Sequence, residues 1–246
     1  MKIYKYKDLS DLRAGELDHF YQIVLQCAIW CAKPESLNDK NEFNFKLDYV
    51  PSPVTHSLLL RVMTIYGSNL MFPPAQSVSL ALQNNRLEAV ATPIINEIVN
   101  NCRNDIGVSC FSELINNDLL WSRYGGNGNG VCIEIVVSDE LIDKSIHRVN
   151  YVAEKVFHVD SFLESVLEGD VTNYKNILLT KTDFWQPEQE IRFISNKQCV
   201  NWTFDGTVSE VIIGSNVTQD LKSKIMADIG EHCLRESVKI SNMSAS

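Results

Sequence analysis

Two glutamates, Glu188 and Glu190, stand one residue apart in the stretch Thr182-Asp183-Phe184-Trp185-Gln186-Pro187-Glu188-Gln189-Glu190-Ile191-Arg192-Phe193-Ile194. Pro187 biases Gln186 away from helix, and the residues that follow alternate as a strand does. The alternation places Glu188, Glu190 and Arg192 on one side and Gln189, Ile191 and Phe193 on the other. Neighbouring carboxylates repel, and the pKa of one of them is raised unless a cation stands close. Arg192 is the nearest cation in sequence. Two chemistries fit this pattern. One is an ion pair between Glu190 and Arg192 on a solvated strand face, which contributes little. The other is catalytic, with one carboxylate meeting a ribose hydroxyl or a developing positive charge and the second activating a nucleophile.

Other chemistries fit less well. Asp39, Glu188 and Glu190 are hard-cation ligands in type. A metal-dependent nuclease, however, usually carries a lysine just after its acidic pair, and Arg192 stands there instead, so no metal is expected. There is no Gly-x-Ser-x-Gly elbow, and no cysteine lies in a basic cluster that would mark a reactive thiolate. The run Gly125-Gly126-Asn127-Gly128-Asn129-Gly130 matches neither the dinucleotide fingerprint nor the Walker pattern, and it leads into a strand rather than a helix. Its glycines read as a tight connection.

The chain has 246 residues, 45% of them hydrophobic, which is enough for one sizeable core. The net charge of −9 argues against a broad nonspecific nucleic-acid surface. The seven cysteines are odd in number and form no Cys-x-x-Cys pair, so they read as reduced thiols in a cytoplasmic protein. The first residues, Met-Lys-Ile-Tyr-Lys-Tyr-Lys-Asp, lack the apolar run of a signal peptide. No apolar run approaches a membrane span.

Periodicity predicts the elements that position these residues. Strands are expected at 2–6, 27–32, 106–111, 131–137, 148–156, 207–213 and 237–240. Helices are expected at 15–26, 55–66, 76–84, 85–101, 159–180 and 217–229, with Pro73-Pro74 as a break. Asn38-Asp39 reads as an Asx turn or as a ligand-orienting pair. His56 reads as a cap or core histidine. Because the helices fall in blocks, the expectation is one α+β domain over 1–246, with a central mixed or antiparallel sheet and a helical insertion at about 55–101.

Four segments together resemble a known family. They are Ile3-Tyr4-Lys5-Tyr6; Ile29-Trp30-Cys31-Ala32-Lys33-Pro34 with Leu37-Asn38-Asp39; Val108-Ser109-Cys110-Phe111-Ser112-Glu113 with Leu120-Trp121-Ser122-Arg123-Tyr124 and Gly130-Val131-Cys132-Ile133; and Phe184-Trp185-Gln186-Pro187-Glu188-Gln189-Glu190-Ile191-Arg192. Their order and spacing over residues 1–215 resemble the bacterial family known as "domain of unknown function 2971", which implies no activity. Where that family commonly has Trp-Ser-His-Tyr, this chain has Arg123 in place of the histidine. Arginine keeps donor capacity but is no base at neutral pH.

The organisation is also similar to that of ADP-ribosyltransferases. That likeness implies NAD as substrate, Glu190 as catalytic carboxylate and Glu188 as its partner. It implies Tyr4 or Tyr6 and Trp121 or Tyr124 as aromatic walls, with Lys5 beside the tyrosines on an NAD-holding first strand, Ser109 or Ser112 as supporting hydroxyl, and Arg123 as pyrophosphate ligand. Arg192 and Asn38 complete the expected binding set. It further implies a toxin or anti-phage effector acting on a nucleic acid or protein target. The alternative is a non-catalytic sensing or binding domain of a defence system.

Overall fold

The computed structural model describes residues 1–11, 16–39, 41–66, 75–169, 172–203, 205–232 and 238–243. The Pro73-Pro74 break and Cys233 lie outside the described residues. The chain divides into two compact units. The first comprises Met1–Pro34, Ile106–Val149 and Phe184–Ser246, and the second Glu35–Asp105 and Asn150–Asp183.

In chain order the elements are β1 (Lys2–Lys7), α1 (Glu16–Gln26), β2 (Ala28–Cys31), β3 (Lys46–Asp48), α2 (Pro53–Tyr66), α3 (Ala75–Gln83), α4 (Leu87–Asp105), β4 (Gly107–Ser112) and α5 (Asp118–Tyr124). They continue as β5 (Val131–Val137), α6 (Asp139–Lys144), β6 (Ile146–Arg148), β7 (Asn150–Val152), β8 (Val156–His158), α7 (Val159–Glu168), α8 (Thr172–Leu178) and β9 (Thr180–Thr182). The last are β10 (Glu190–Ser195), β11 (Val200–Thr203), β12 (Gly206–Ile213), α9 (Gln219–His232) and β13 (Lys239–Asn242). The fold class is α+β, as the blockwise helices imply.

The first unit is built on a seven-stranded sheet in the order β13-β12-β5-β1-β4-β10-β6. Its neighbours are antiparallel except β12 and β13, which run parallel. Strand alternation gives the two faces different characters. One face is apolar: Ile3, Ile133, Ile135, Phe193, Val211 and Ile213 pack with Phe20, Ile23 and Val24 of α1 and with Ile225 and Ile229 of α9. The other face carries a second, smaller cluster in which Tyr4, Tyr6, Cys132 and Ile212 meet Leu120 and Trp121 of α5.

Across that second face the register aligns Glu210, Glu134, Tyr4, Ser112 and Glu190. A line of polar side chains buried on a sheet requires partners. Glu134 accepts bonds from Tyr4 Oη at 3.1 Å and Ser209 Oγ at 2.7 Å, and pairs with Lys2 Nζ at 2.8 Å. Burial pushes the Glu134 carboxyl upward, yet these donors together hold it below the usual carboxylate range. Burial first, and the Glu134 bond second, push the Tyr4 hydroxyl up to about 12.

The glycine-rich run is close-packed. A Cβ at Gly130 would stand 2.0 Å from the Lys7 carbonyl oxygen, and one at Gly214 would stand 2.2 Å from that of Gly128. Asn216 N donates to Gly128 O at 2.9 Å, and Asn216 Nδ2 to Asn127 O at 2.8 Å. These glycines let three connections approach at the ends of β1, β5 and β12. Gly130→Ala is expected to cost about 3 kcal/mol or more through backbone overlap, measurable as a shifted urea midpoint with an unchanged slope.

The second unit contains α2, α3 and α4, the helical block expected near 55–101. It also takes in β3, β7, β8, β9, α7 and α8, so its bounds are wider than sequence periodicity indicated. The helix expected over 159–180 is two helices. Gly169 adopts a left-handed backbone, φ 69, at the C-cap of α7. A glycine in that conformation ends a helix. The strand expected over 148–156 is three short pieces, the end of β6 followed by β7 and β8, because each pairs with a different partner. His56 stands near Ser79 Oγ, 3.5 Å from its Nε2. Among the described residues no helix is long and apolar enough to cross a membrane.

Candidate functional site

The two glutamates do not lie side by side on one strand. Glu190 opens β10, whereas Glu188 ends a 3-10 turn over Asp183–Glu188. Gln189 between them has a positive φ of 41. That left-handed conformation breaks the alternation read from the sequence. Each carboxylate consequently meets its own arginine.

Glu190 is 5% exposed and Arg192 0%. Arg192 Nε donates to Glu190 Oε1 at 2.7 Å and its Nη2 to Oε2 at 3.2 Å. This is a forked, charge-assisted pair. The local pairing expected from sequence is present, but it is buried within the sheet and not on a solvated face. Cys110 faces Arg192 across the β4–β10 ladder, and burial pushes its thiol pKa well up.

Glu188 is 3% exposed. Its Oε1 accepts from Arg123 Nη1 at 2.8 Å and from Tyr124 Oη at 2.8 Å. Both donors come from α5, a short helix with clear local causes. Asn117 Oδ1 caps Leu120 N at 3.1 Å, Asp118 lies in the first turn, Arg123 lies in the last, and Gly125 closes it. Such a cap and such charges favour even a short helix. Tyr6 Oη accepts from Asn117 N at 3.4 Å and donates to Leu114 O at 3.1 Å, which ties the start of α5 to β1. Beneath Glu188, Ser112 Oγ donates to the Glu188 carbonyl at 2.7 Å, and Glu113 N donates to Gln189 O at 3.0 Å.

Arg123 also stacks. Its guanidinium carbon lies 4.8 Å from the centre of the Trp185 ring and 5.8 Å from that of Phe184, within cation–π reach of both. Its side chain is 28% exposed and Phe184 is 68% exposed, so this edge of the cluster faces solvent. A guanidinium carries five N–H donors. Among the described residues, its one hydrogen-bond partner is Glu188.

The structure thus gathers Glu188, Arg123, Tyr124 and Ser112 in direct contact, and sets the Glu190–Arg192 pair next in the chain. It does not gather the rest. Tyr4 turns its hydroxyl to Glu134 instead, and Tyr6 and Trp121 pack edge to face at 5.3 Å inside the smaller cluster. Lys5 and Ser109 belong to the opposite, apolar face. Lys5 Nζ lies 5.1 Å over the Phe111 ring and donates to Ser109 Oγ at 3.2 Å and Cys110 O at 2.7 Å. Burial first of all lowers the Lys5 ammonium to about 8. Asn38 is an exposed residue of the second unit, and Asp39 is a buried one of that unit. Among the described residues no three His, Cys, Asp or Glu side chains form a metal-ligand group.

Sequence reasoning assigned no role to Trp185 and Phe184. Their position directly before the acidic pair was the available signal. Comparison with family models, with curated proteins and with solved structures found no match.

Proposed function

We propose that the first unit is an NAD-using transferase of ADP-ribosyltransferase type, acting as a bacterial toxin or anti-phage effector on a macromolecular target, nucleic acid or protein. The observation that supports this reading is the buried carboxylate of Glu188, oriented by Tyr124 and by a solvent-touching Arg123 that lies against Trp185. In this reading Arg123 takes the pyrophosphate of NAD through N–H groups not directed at Glu188. Trp185 and Tyr124 form the aromatic wall for nicotinamide. When the bond between ribose and nicotinamide breaks, positive charge develops on the sugar, and a fixed carboxylate in a dry site stabilises it. Glu188 is the group nearest the solvent-facing edge through Arg123, while Glu190 holds Arg192 and supports the strand beneath.

Isothermal titration with NAD is expected to show binding that Arg123→Gln weakens at least tenfold. With labelled NAD and cell lysate, Glu188→Gln is expected to lower transfer by about 10²–10³-fold, the size seen when one electrostatic stabiliser is removed. Absence of any NAD binding by the wild-type chain would sink the proposal.

A second reading, a non-catalytic binding domain, is favoured by one feature: both carboxylates are already matched by arginines. It gives the opposite outcome, with biological activity preserved in Glu188→Gln and no turnover of NAD.

A further inference from the structure

We infer that Gln189 is a positioning residue for Glu188. Its left-handed backbone turns that side chain toward α5 and off the strand face on which Glu190 stands. The inference rests on the reading of Glu188 as the ligand-facing carboxylate.

In an extended strand, residues two apart point to the same side. With Gln189 extended, Glu188 would continue β10 beside Glu190, and two carboxylates would share one face with Arg192. The observed φ of 41 at Gln189 prevents this. A residue with a Cβ is strained in that region, and such strain persists only where the surroundings fix it. Here they do so from three directions. Ser112 Oγ holds the Glu188 carbonyl at 2.7 Å, Glu113 N holds the Gln189 carbonyl at 3.0 Å, and Gln189 N donates to Gln186 O at 3.1 Å. The Gln189 residue itself is exposed. The backbone angle, and not the amide side chain, is therefore what acts on Glu188.

The test uses substitutions graded by their tolerance of positive φ: Gln189→Gly and Gln189→Asn accept it, and Gln189→Val does not. Two readouts are taken. A double-mutant cycle of Arg123→Ala and Glu188→Ala, read by urea unfolding, reports whether the two side chains still meet. NAD titration reports the site. The Gly and Asn variants are expected to keep both the coupling and NAD affinity within about twofold. The Val variant is expected to lose the coupling and to bind NAD at least tenfold more weakly. Coupling that persists in a folded Val variant, or disappears in the Gly variant, overturns the inference. Should the Val variant fail to fold, Gln189→Ala replaces it: coupling lower than in Gly and Asn supports the inference, and equal coupling in all three overturns it. If the coupling follows backbone tolerance but no variant or wild type binds NAD, the positioning role stands and the NAD reading falls.

Discussion

Arg192→Met is expected to destabilise the first unit by about 3–5 kcal/mol, because it removes one partner of a buried, forked ion pair. Arg192 is fully buried and its fork is closed on Glu190. Methionine fills a similar length with an apolar stem, so the loss is mainly electrostatic and not a cavity. Exchanging both partners, Glu190→Gln with Arg192→Met, should recover most of that loss, since the two charges of the fork are then removed together. Urea unfolding of the two single variants and the double variant measures the coupling. If Arg192→Met cost no more than an exposed ion pair, under about 1 kcal/mol, the pair would not support the strand.

The second large effect has the opposite sign. Lys5→Met is expected to stabilise the protein by about 1–3 kcal/mol at pH 7. Lys5 places its ammonium against an aromatic ring and two neutral acceptors on the apolar face, and burial lowers it from 10.5 to about 8. The unfolded chain keeps its proton up to pH 10.5, while the folded chain releases it near 8. Between these values the unfolded state binds more protons, so this residue's contribution to stability rises with pH. Below pH 8 the cost of burying the charge is fully present. The advantage of Lys5→Met should therefore be largest at neutral pH and shrink as pH climbs from 8 to 10.5. The buried Tyr4 hydroxyl and Cys110 thiol, both raised, act in the other direction at alkaline pH. The Tyr4 hydroxyl is common to both proteins and drops out of the difference, whereas the Cys110 thiol, which the Lys5 charge holds lower, rises further in Lys5→Met and shrinks the advantage in the same alkaline range. A pH-independent difference would overturn the assignment.

Much of the sheet was legible because its strands combine β-branched residues with clear boundaries. The span 131–137 matches β5 residue for residue, and the helical period of Leu87, Ile94, Ile95 and Ile98 marks α4. Short strands such as β3, β9 and β11 carry too few residues to show a period, and each exists because a distant partner pairs with it. The candidate site divides in the same way. Glu190 with Arg192 is a contact between residues two apart, so alternation suffices to find it. Glu188 with Arg123 spans 65 positions and depends on one left-handed residue, which composition does not announce. Lys5 is different again. Its phase opposite to Tyr4 and Tyr6 was visible in the sequence, and strand geometry alone separates it from the carboxylates.

The parallel strand β13 also protects the sheet. It is only four residues long, begins with Lys239 paired to Glu210, and leaves Lys239 and Asn242 exposed. A short rim with a lysine is a poor template for a neighbouring chain. Behind it lies β12, eight residues long and rich in valine and isoleucine, which would be a far more adhesive margin. Four modest residues thus make this margin of the sheet less adhesive than β12 would be.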